Sequence, residues 1–239
     1  MHMPDHIHTI PVLDALRDPM GCAFCVMQKK LENDFIQFIL GPAYMEDDVR
    51  VETNKAGFCN RHMQAMYKEQ NRLGLALMLH THLKKIKKDT AGIISGRAPI
   101  PLFGRDPKAT TPRLRDFLAK TAESCYICDR AGSTFTRYVD TFFHLWSKGG
   151  NDGKLIESQE GYCLPHYITL LEAAEKLGRG KREKFLDMIL PMWQKFAAEL
   201  ETDLEWFIEK FDHRNANEPW KNSKDALPRA LQFFGGVTK

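Results

Sequence analysis

Four short motifs in this 239-residue chain contain the side chains best suited to binding a metal. Two are Cys-x-x-Cys motifs and two are Cys-x-x-His motifs, and together they use all six cysteines of the chain. Two ligands three residues apart can reach one ion, so two such motifs complete a tetrahedral shell of three sulfurs and one nitrogen. The motifs therefore predict two Cys₃His metal centres, with these eight ligands: Cys22, Cys25, Cys59, His62, Cys125, Cys128, Cys163 and His166.

The pairing of the motifs decides which parts of the chain each metal joins. The two kinds of motif alternate along the chain, with 33 residues between the first two and 34 between the last two. We expect the simpler arrangement, in which the pairs form within each half of the chain: Cys22/Cys25 with Cys59/His62, and Cys125/Cys128 with Cys163/His166. The sequence does not exclude a crossed arrangement, in which the Cys-x-x-Cys of one half meets the Cys-x-x-His of the other.

Zinc is the metal that we expect, because Cys₃His sets hold closed, structural zinc ions. A [4Fe–4S] cluster held by three cysteines and one histidine is the alternative, and charge does not separate the two. A thiol–disulfide role for the Cys-x-x-Cys motifs would leave Cys59, Cys163 and both motif histidines unexplained. Since four protein ligands leave no coordination position for a substrate, we expect a metal-binding scaffold module rather than an enzyme. An iron–sulfur electron-transfer or redox-sensing protein is the second hypothesis.

The elements that position the motifs form an internal repeat. The segment Gly21–Cys25 recurs after 103 residues as Ser124–Cys128, and Gly57–His62 recurs after 104 residues as Gly161–His166. Apolar residues around the motifs are spaced by three and four, which is typical of helices, and no alternating strand pattern appears. We therefore predict an all-α protein of two pseudo-symmetric repeats, each with a Cys₃His site, in which every motif opens a helix.

Apolar spacing and the positions of glycine and proline set the expected boundaries of the helices and loops. Residues 45–55 and 149–153 are expected to be loops, and helices are predicted over residues 20–40, 59–88, 113–122, 125–148, 164–177, 181–211 and 225–234. The chain divides into repeat 1 with the first metal site (1–95), a linker (96–112), repeat 2 with the second metal site (113–215) and a tail (216–239). We expect the tail to pack on the helical bundle, with binding of an unidentified protein partner as the alternative.

The doubled motif, together with the segment Trp220–Ala230, resembles a bacterial domain-of-unknown-function family, number 6062, found largely in anaerobic Firmicutes. The resemblance covers nearly the whole chain. It implies no activity, but it supports the repeat and implies a cytoplasmic, anaerobic setting. That setting adds weight to the iron–sulfur alternative, while zinc stays the metal that we expect.

Charge and hydropathy exclude other classes of protein. The chain has 34 basic and 31 acidic residues, a balance that gives no indication of nucleic-acid binding. No stretch approaches the roughly 18 apolar residues of a membrane helix, and the N-terminus lacks the apolar segment of a signal peptide. With every cysteine in a metal motif, a reducing compartment is expected, so we predict a cytoplasmic protein.

Overall fold

The computed structural model describes residues 7–19, 21–95 and 110–236. Every regular element in these ranges is helical, which confirms the all-α prediction. Short 3₁₀ turns lie at Pro42–Met45, His213–Asn215 and Ser223–Asp225. The α-helices of the described chain are α1 (Thr9–Arg17), α2 (Ala23–Leu40), α3 (Asp47–Ala56), α4 (Asn60–Lys68), α5 (Arg72–Ile94), α6 (Thr110–Glu123), α7 (Tyr126–Lys148), α8 (Gly150–Glu157), α9 (Leu164–Ala174), α10 (Arg179–Glu209) and α11 (Ala226–Gly235).

The chain divides into two compact units. Unit 1 comprises Met1–Lys30 and Thr134–Lys239, and unit 2 comprises Leu31–Ser133. Both α2 and α7 run across the division, so the N-terminal part of each belongs to a different unit from its C-terminal part. Unit 1 therefore contains the first Cys-x-x-Cys motif and the second Cys-x-x-His motif, and unit 2 contains the other two.

Aromatic rings form the core of unit 1. Phe24 of α2 lies edge-to-face against Phe142 of α7, with ring centroids 5.0 Å apart, and against Tyr162, at 5.5 Å. Phe185 of α10 lies edge-to-face against Phe142 at 6.5 Å. These four rings are almost entirely buried, so the start of α2 packs against α7 and the segment before α9, and α10 packs against α7.

The C-terminal helix α11 also belongs to unit 1 and packs against α9 and α10. Its residues Ala226, Ala230 and Phe233 are buried, and Phe233 and Ala230 form a cluster with Leu200 of α10. Arg229 adds an ion pair to Asp203 of α10, at 2.7 Å.

A mainly aliphatic cluster forms the hydrophobic core of unit 2. The second half of α2 contributes Ile36 and Ile39, which cluster with Met66 of α4 and Met78 of α5. Helix α3 packs on α5, and Arg50 of α3 donates a hydrogen bond to Thr81 Oγ1 of α5.

The structure corrects three element predictions. The expected loop 45–55 contains helix α3, because Val49 and Thr53, four residues apart, form a buried face that its polar composition conceals. The expected loop 149–153 begins α8, which buries Gly153 and Ile156. The single helix predicted over 59–88 is two helices, because Asn71 caps α5 by accepting a hydrogen bond from the Gly74 amide.

Helix α1 has no counterpart among the predicted helices. The expected linker lies mostly outside the described residues. Among the residues described, no helix is both long and apolar enough to span a membrane.

Candidate metal centres

All four motifs open helices in the same way. In each, the first cysteine directly precedes the helix and the second ligand is its third residue, as in Cys59 and His62 of α4 and in Cys163 and His166 of α9. The same holds for the Cys-x-x-Cys motifs at the starts of α2 and α7. The first backbone N–H groups of a helix have no partner within it, and its positive end favours thiolates. The predicted placement of the motifs is confirmed.

Centre 1 consists of Cys22, Cys25, Cys163 and His166, all in unit 1. The Nδ1 atom of His166 lies 3.1 Å from the sulfur of Cys163, 3.3 Å from that of Cys25 and 3.6 Å from that of Cys22. The sulfurs of Cys25 and Cys163 are 3.5 Å apart. All four residues are buried, and their ligand atoms lie within 4.8 Å of one another, so they could hold one metal ion.

Centre 2 consists of Cys59, His62, Cys125 and Cys128, all in unit 2. The Nδ1 atom of His62 lies 3.3 Å from the sulfurs of Cys59 and Cys125 and 3.4 Å from that of Cys128. The sulfurs of Cys59 and Cys128 are 3.8 Å apart. Here Cys125 and His62 are buried, Cys59 is half-buried and Cys128 is exposed, so this group of four could hold a second ion nearer to solvent.

The expected pairing within each half of the chain is wrong, and the crossed arrangement is present. Cys22 and Cys25 lie at the N-terminal end of α2, whose 18 residues span about 27 Å at 1.5 Å per residue. A helix that returns antiparallel to α2 starts at the opposite end, so a motif opening it would lie about one helix length away. The helix starts that meet instead are those of α2 and α9 in centre 1, and of α7 and α4 in centre 2.

A family model matches residues 3–239 of the chain and describes a family of unknown function, DUF6062. The chain belongs to this family. The match confirms the family identified from the doubled motif and the Trp220–Ala230 segment. Neither the curated proteins nor the solved structures gave a match to this DUF6062 chain.

The thiols of centre 1 of this DUF6062 chain differ in acidity. Burial opposes ionisation of Cys22, but hydrogen bonds with Cys163, Cys25 and His166 outweigh it and lower its pKa well below the usual value. The pKa of Cys25 is raised by its hydrogen bonds to Cys163 and Cys22 and by burial. The pKa of Cys163 is raised to about 12, first by its hydrogen bond with Cys22. Without a cation the group therefore favours one thiolate, and a bound divalent ion would offset the repulsion among three.

Centre 2 has the same electrostatic pattern. Burial raises the pKa of Cys125, but hydrogen bonds from His62 and from backbone amides lower it to about 6. Burial and the charge of Cys125 raise the pKa of Cys128 to about 12. Burial alone would lower the pKa of His62, yet the neighbouring Cys125 sulfur and the Glu32 carboxylate raise it to about 9. Cys125 is thus a more acidic thiol than Cys128, and it lies beside a ring whose pKa is raised.

In both centres Nδ1 of the histidine faces the sulfurs and Nε2 faces a residue of α2. Nε2 of His166 lies 3.1 Å from Oε1 of Gln28. Nε2 of His62 lies 3.7 Å from a carboxylate oxygen of Glu32. Arg61, the residue before His62, donates two hydrogen bonds to that carboxylate, one of them 2.6 Å long. The Gln28 contact is within hydrogen-bond distance and orients the His166 ring, whereas Glu32 acts on His62 as a nearby negative charge beyond hydrogen-bond distance. In both rings Nδ1 is the nitrogen that faces the sulfurs and could bind a metal.

Sequence reasoning missed Gln28, Glu32 and Arg61. Only Arg61 carried a local signal, because it lies inside a Cys-x-x-His motif beside the ligand histidine. Gln28 and Glu32 are polar residues of an amphipathic helix, and no spacing rule links them to histidines that are distant in sequence.

Proposed function

We propose that each centre binds one zinc ion and that the protein is a non-enzymatic helical scaffold stabilised by these two ions. The spacing of the ligand atoms carries this proposal. A tetrahedral ion with bonds of about 2.3 Å to sulfur and 2.0 Å to nitrogen places two sulfurs about 3.8 Å apart, and a sulfur and a nitrogen about 3.5 Å apart. The sulfur pairs Cys25–Cys163 and Cys59–Cys128 are separated by 3.5 and 3.8 Å. The sulfur–nitrogen distances, from 3.1 to 3.6 Å, lie within about 0.4 Å of the tetrahedral sulfur–nitrogen value.

An iron–sulfur cluster would need more widely spaced ligands. In a [4Fe–4S] cube each ligand binds a different iron at a different corner, which sets the ligand atoms roughly 6 Å apart. The ligand atoms of each centre lie within 4.8 Å of one another. This spacing supports a single ion, although the anaerobic setting implied by the family resemblance favours a cluster.

A closed shell supports a structural rather than a catalytic role. With three thiolates and one imidazole bound, a tetrahedral zinc ion has no position for a substrate or an activated water. Each ion would join two helix starts that are distant in the chain, such as Cys25 and Cys163, 138 residues apart. Metal binding then contributes directly to the free energy of folding. A reducing compartment such as the cytoplasm would keep the thiols available.

The exposed face of α11 supports a binding role for the scaffold. Leu227, Leu231 and Phe234 follow one another at helical spacing and are exposed, while the opposite face of α11 packs on unit 1. We propose this apolar face as the contact for a protein partner. Replacing Leu231 and Phe234 with serine should then abolish partner binding while leaving the melting temperature nearly unchanged.

Metal analysis of protein purified without oxygen tests the zinc proposal. We expect a colourless protein with two zinc ions per chain by elemental analysis. A brown protein with several irons per chain, and the visible absorption of a cluster, would refute zinc in favour of the iron–sulfur hypothesis. A folded protein that binds neither metal at stoichiometric amounts would refute both.

A further inference from the structure

Each centre contains a pair of cysteines that joins its two motifs in the same way. In both, the cysteine in the first turn of the Cys-x-x-Cys helix faces the cysteine that precedes the Cys-x-x-His helix. In centre 1 this pair is Cys25 and Cys163, with sulfurs 3.5 Å apart. In centre 2 it is Cys128 and Cys59, with sulfurs 3.8 Å apart. The two pairs have similar sulfur–sulfur distances, and the clearest difference between them is how far solvent reaches them.

The C-terminal end of α11 covers the pair in centre 1. A Cβ atom built on Gly236 would lie 3.5 Å from the sulfur of Cys25 and 3.9 Å from that of Cys163, so the backbone there lies against both sulfurs. Phe233 anchors this end of the helix in the cluster with Leu200 and Ala230. Cys25 and Cys163 are consequently only 2% exposed.

The pair in centre 2 is open to solvent. Cys128 is exposed and Cys59 is half-buried, whereas the other two ligands of this centre, Cys125 and His62, are each 1% exposed. The two cysteines of this pair are therefore more accessible to a small reagent in water than the equivalent pair of centre 1.

We propose that Cys59 and Cys128 form a modification site at which a peroxide oxidises the pair to a disulfide and releases the metal of centre 2. This inference rests on the proposed zinc binding. It makes centre 2 the oxidant-sensitive centre and leaves centre 1 as the permanent structural one.

The reaction balances with a peroxide as the only oxidant. The thiolate of Cys128 attacks one peroxide oxygen, so an S–O bond forms, the O–O bond breaks and hydroxide leaves. The thiolate of Cys59 then attacks the sulfenic sulfur, so the S–S bond forms and a second hydroxide leaves. The two sulfurs lose two electrons, the peroxide gains them, and two protons from solvent complete two waters. Zinc keeps only Cys125 and His62 and dissociates.

Titration of the zinc-loaded, full-length protein with hydrogen peroxide tests the proposal. Two zinc ions per chain are verified first, because their absence would be a failure of the zinc proposal and not of this one. Zinc release is followed with a chromogenic chelator, and disulfides are mapped by mass spectrometry after free thiols are blocked. We expect one zinc released per chain, a Cys59–Cys128 disulfide, and restoration by a thiol reductant with added zinc. Release of both ions together, release from centre 1 first, or a two-zinc protein that resists peroxide would each overturn the proposal.

A matched pair of variants tests the role of the cover. Phe233→Ala loosens the anchor of α11 and should make centre 1 release its zinc at peroxide concentrations similar to those that empty centre 2. Phe234→Ala changes a neighbouring ring that is 64% exposed and should leave centre 1 resistant. Unchanged resistance of centre 1 in a folded Phe233→Ala protein would show that the cover does not decide reactivity.

Discussion

Removal of the Glu32 carboxylate should weaken centre 2 alone. Glu32 faces Nε2 of His62 at 3.7 Å and accepts both hydrogen bonds of Arg61. Its side chain is 15% exposed, and although burial opposes ionisation, its partners His62 and Arg61 lower its pKa to about 2. The carboxylate is therefore ionised at neutral pH and places a negative charge beside the ligand ring. Glu32→Ala leaves both the ring and the guanidinium without this partner.

Glu32→Ala should lower both the metal affinity of centre 2 and the stability of the fold. Loss of an outer partner of a ligand histidine lowers metal affinity by about 10- to 100-fold. Loss of the paired hydrogen bonds to Arg61 destabilises the fold by about 1 kcal/mol, a value reduced from that of a buried pair because the Arg61 side chain is 35% exposed.

Competition with a chelator measures the effect. In Glu32→Ala, one of the two zinc ions should transfer to a chromogenic chelator at about 10- to 100-fold lower chelator concentration. The other ion should transfer as in the unchanged protein. Asp34→Ala, an exposed change on the same helix, serves as the control and should alter neither ion. Unchanged affinity of both ions in Glu32→Ala, or weakening of centre 1 instead, would refute the assigned role of Glu32.

Two further predictions concern stability and can be checked by urea unfolding of matched variants. Phe233→Ala should lower the free energy of unfolding by about 3–5 kcal/mol, because Phe233 is 7% exposed and packs in the cluster with Leu200. The exposed Phe234→Ala loses only an edge-to-face contact with Phe233, with ring centroids 5.1 Å apart, and should lower it by about 1 kcal/mol or less. Gly57→Ala should lower the free energy of unfolding by about 1–3 kcal/mol, because Gly57 has a φ of +64° and an added Cβ would lie 2.4 Å from Nε2 of His82. A variant as stable as the unchanged protein would refute this strain. The control Gly92→Ala, within α5 and with open space around it, should be neutral or stabilising by up to about 1 kcal/mol.

The local part of each centre could be predicted from sequence, because it depends on residues close together in the chain. A Cys-x-x-Cys or Cys-x-x-His motif at a helix start places both ligands in the first turn whatever the rest of the fold does. That is why the starts of α4 and α9, at Cys59 and Cys163, agree with expectation. The same locality made the family recognisable from its motifs.

The pairing could not be predicted, because it depends on where distant helix starts meet. Because the gaps of 33 and 34 residues are similar, pairing of the motifs within each half was the simpler expectation. The number of residues between two motifs does not, however, give the length or the direction of α2, which separates them. Helices α3 and α8 were missed for a related reason. Each is short and polar, and the burial of residues such as Val49 and Ile156 depends on packing against neighbouring helices, which the local sequence does not reveal.

Zinc content of two double variants tests the crossed centres most directly. Cys22→Ser with Cys163→Ser removes two ligands of centre 1, so the protein should keep one zinc ion per chain. Cys22→Ser with Cys59→Ser removes one ligand from each centre, so it should keep none at stoichiometric amounts. The reverse result, with no zinc in the first variant and one ion in the second, would contradict the crossed arrangement and restore pairing within each half of the chain.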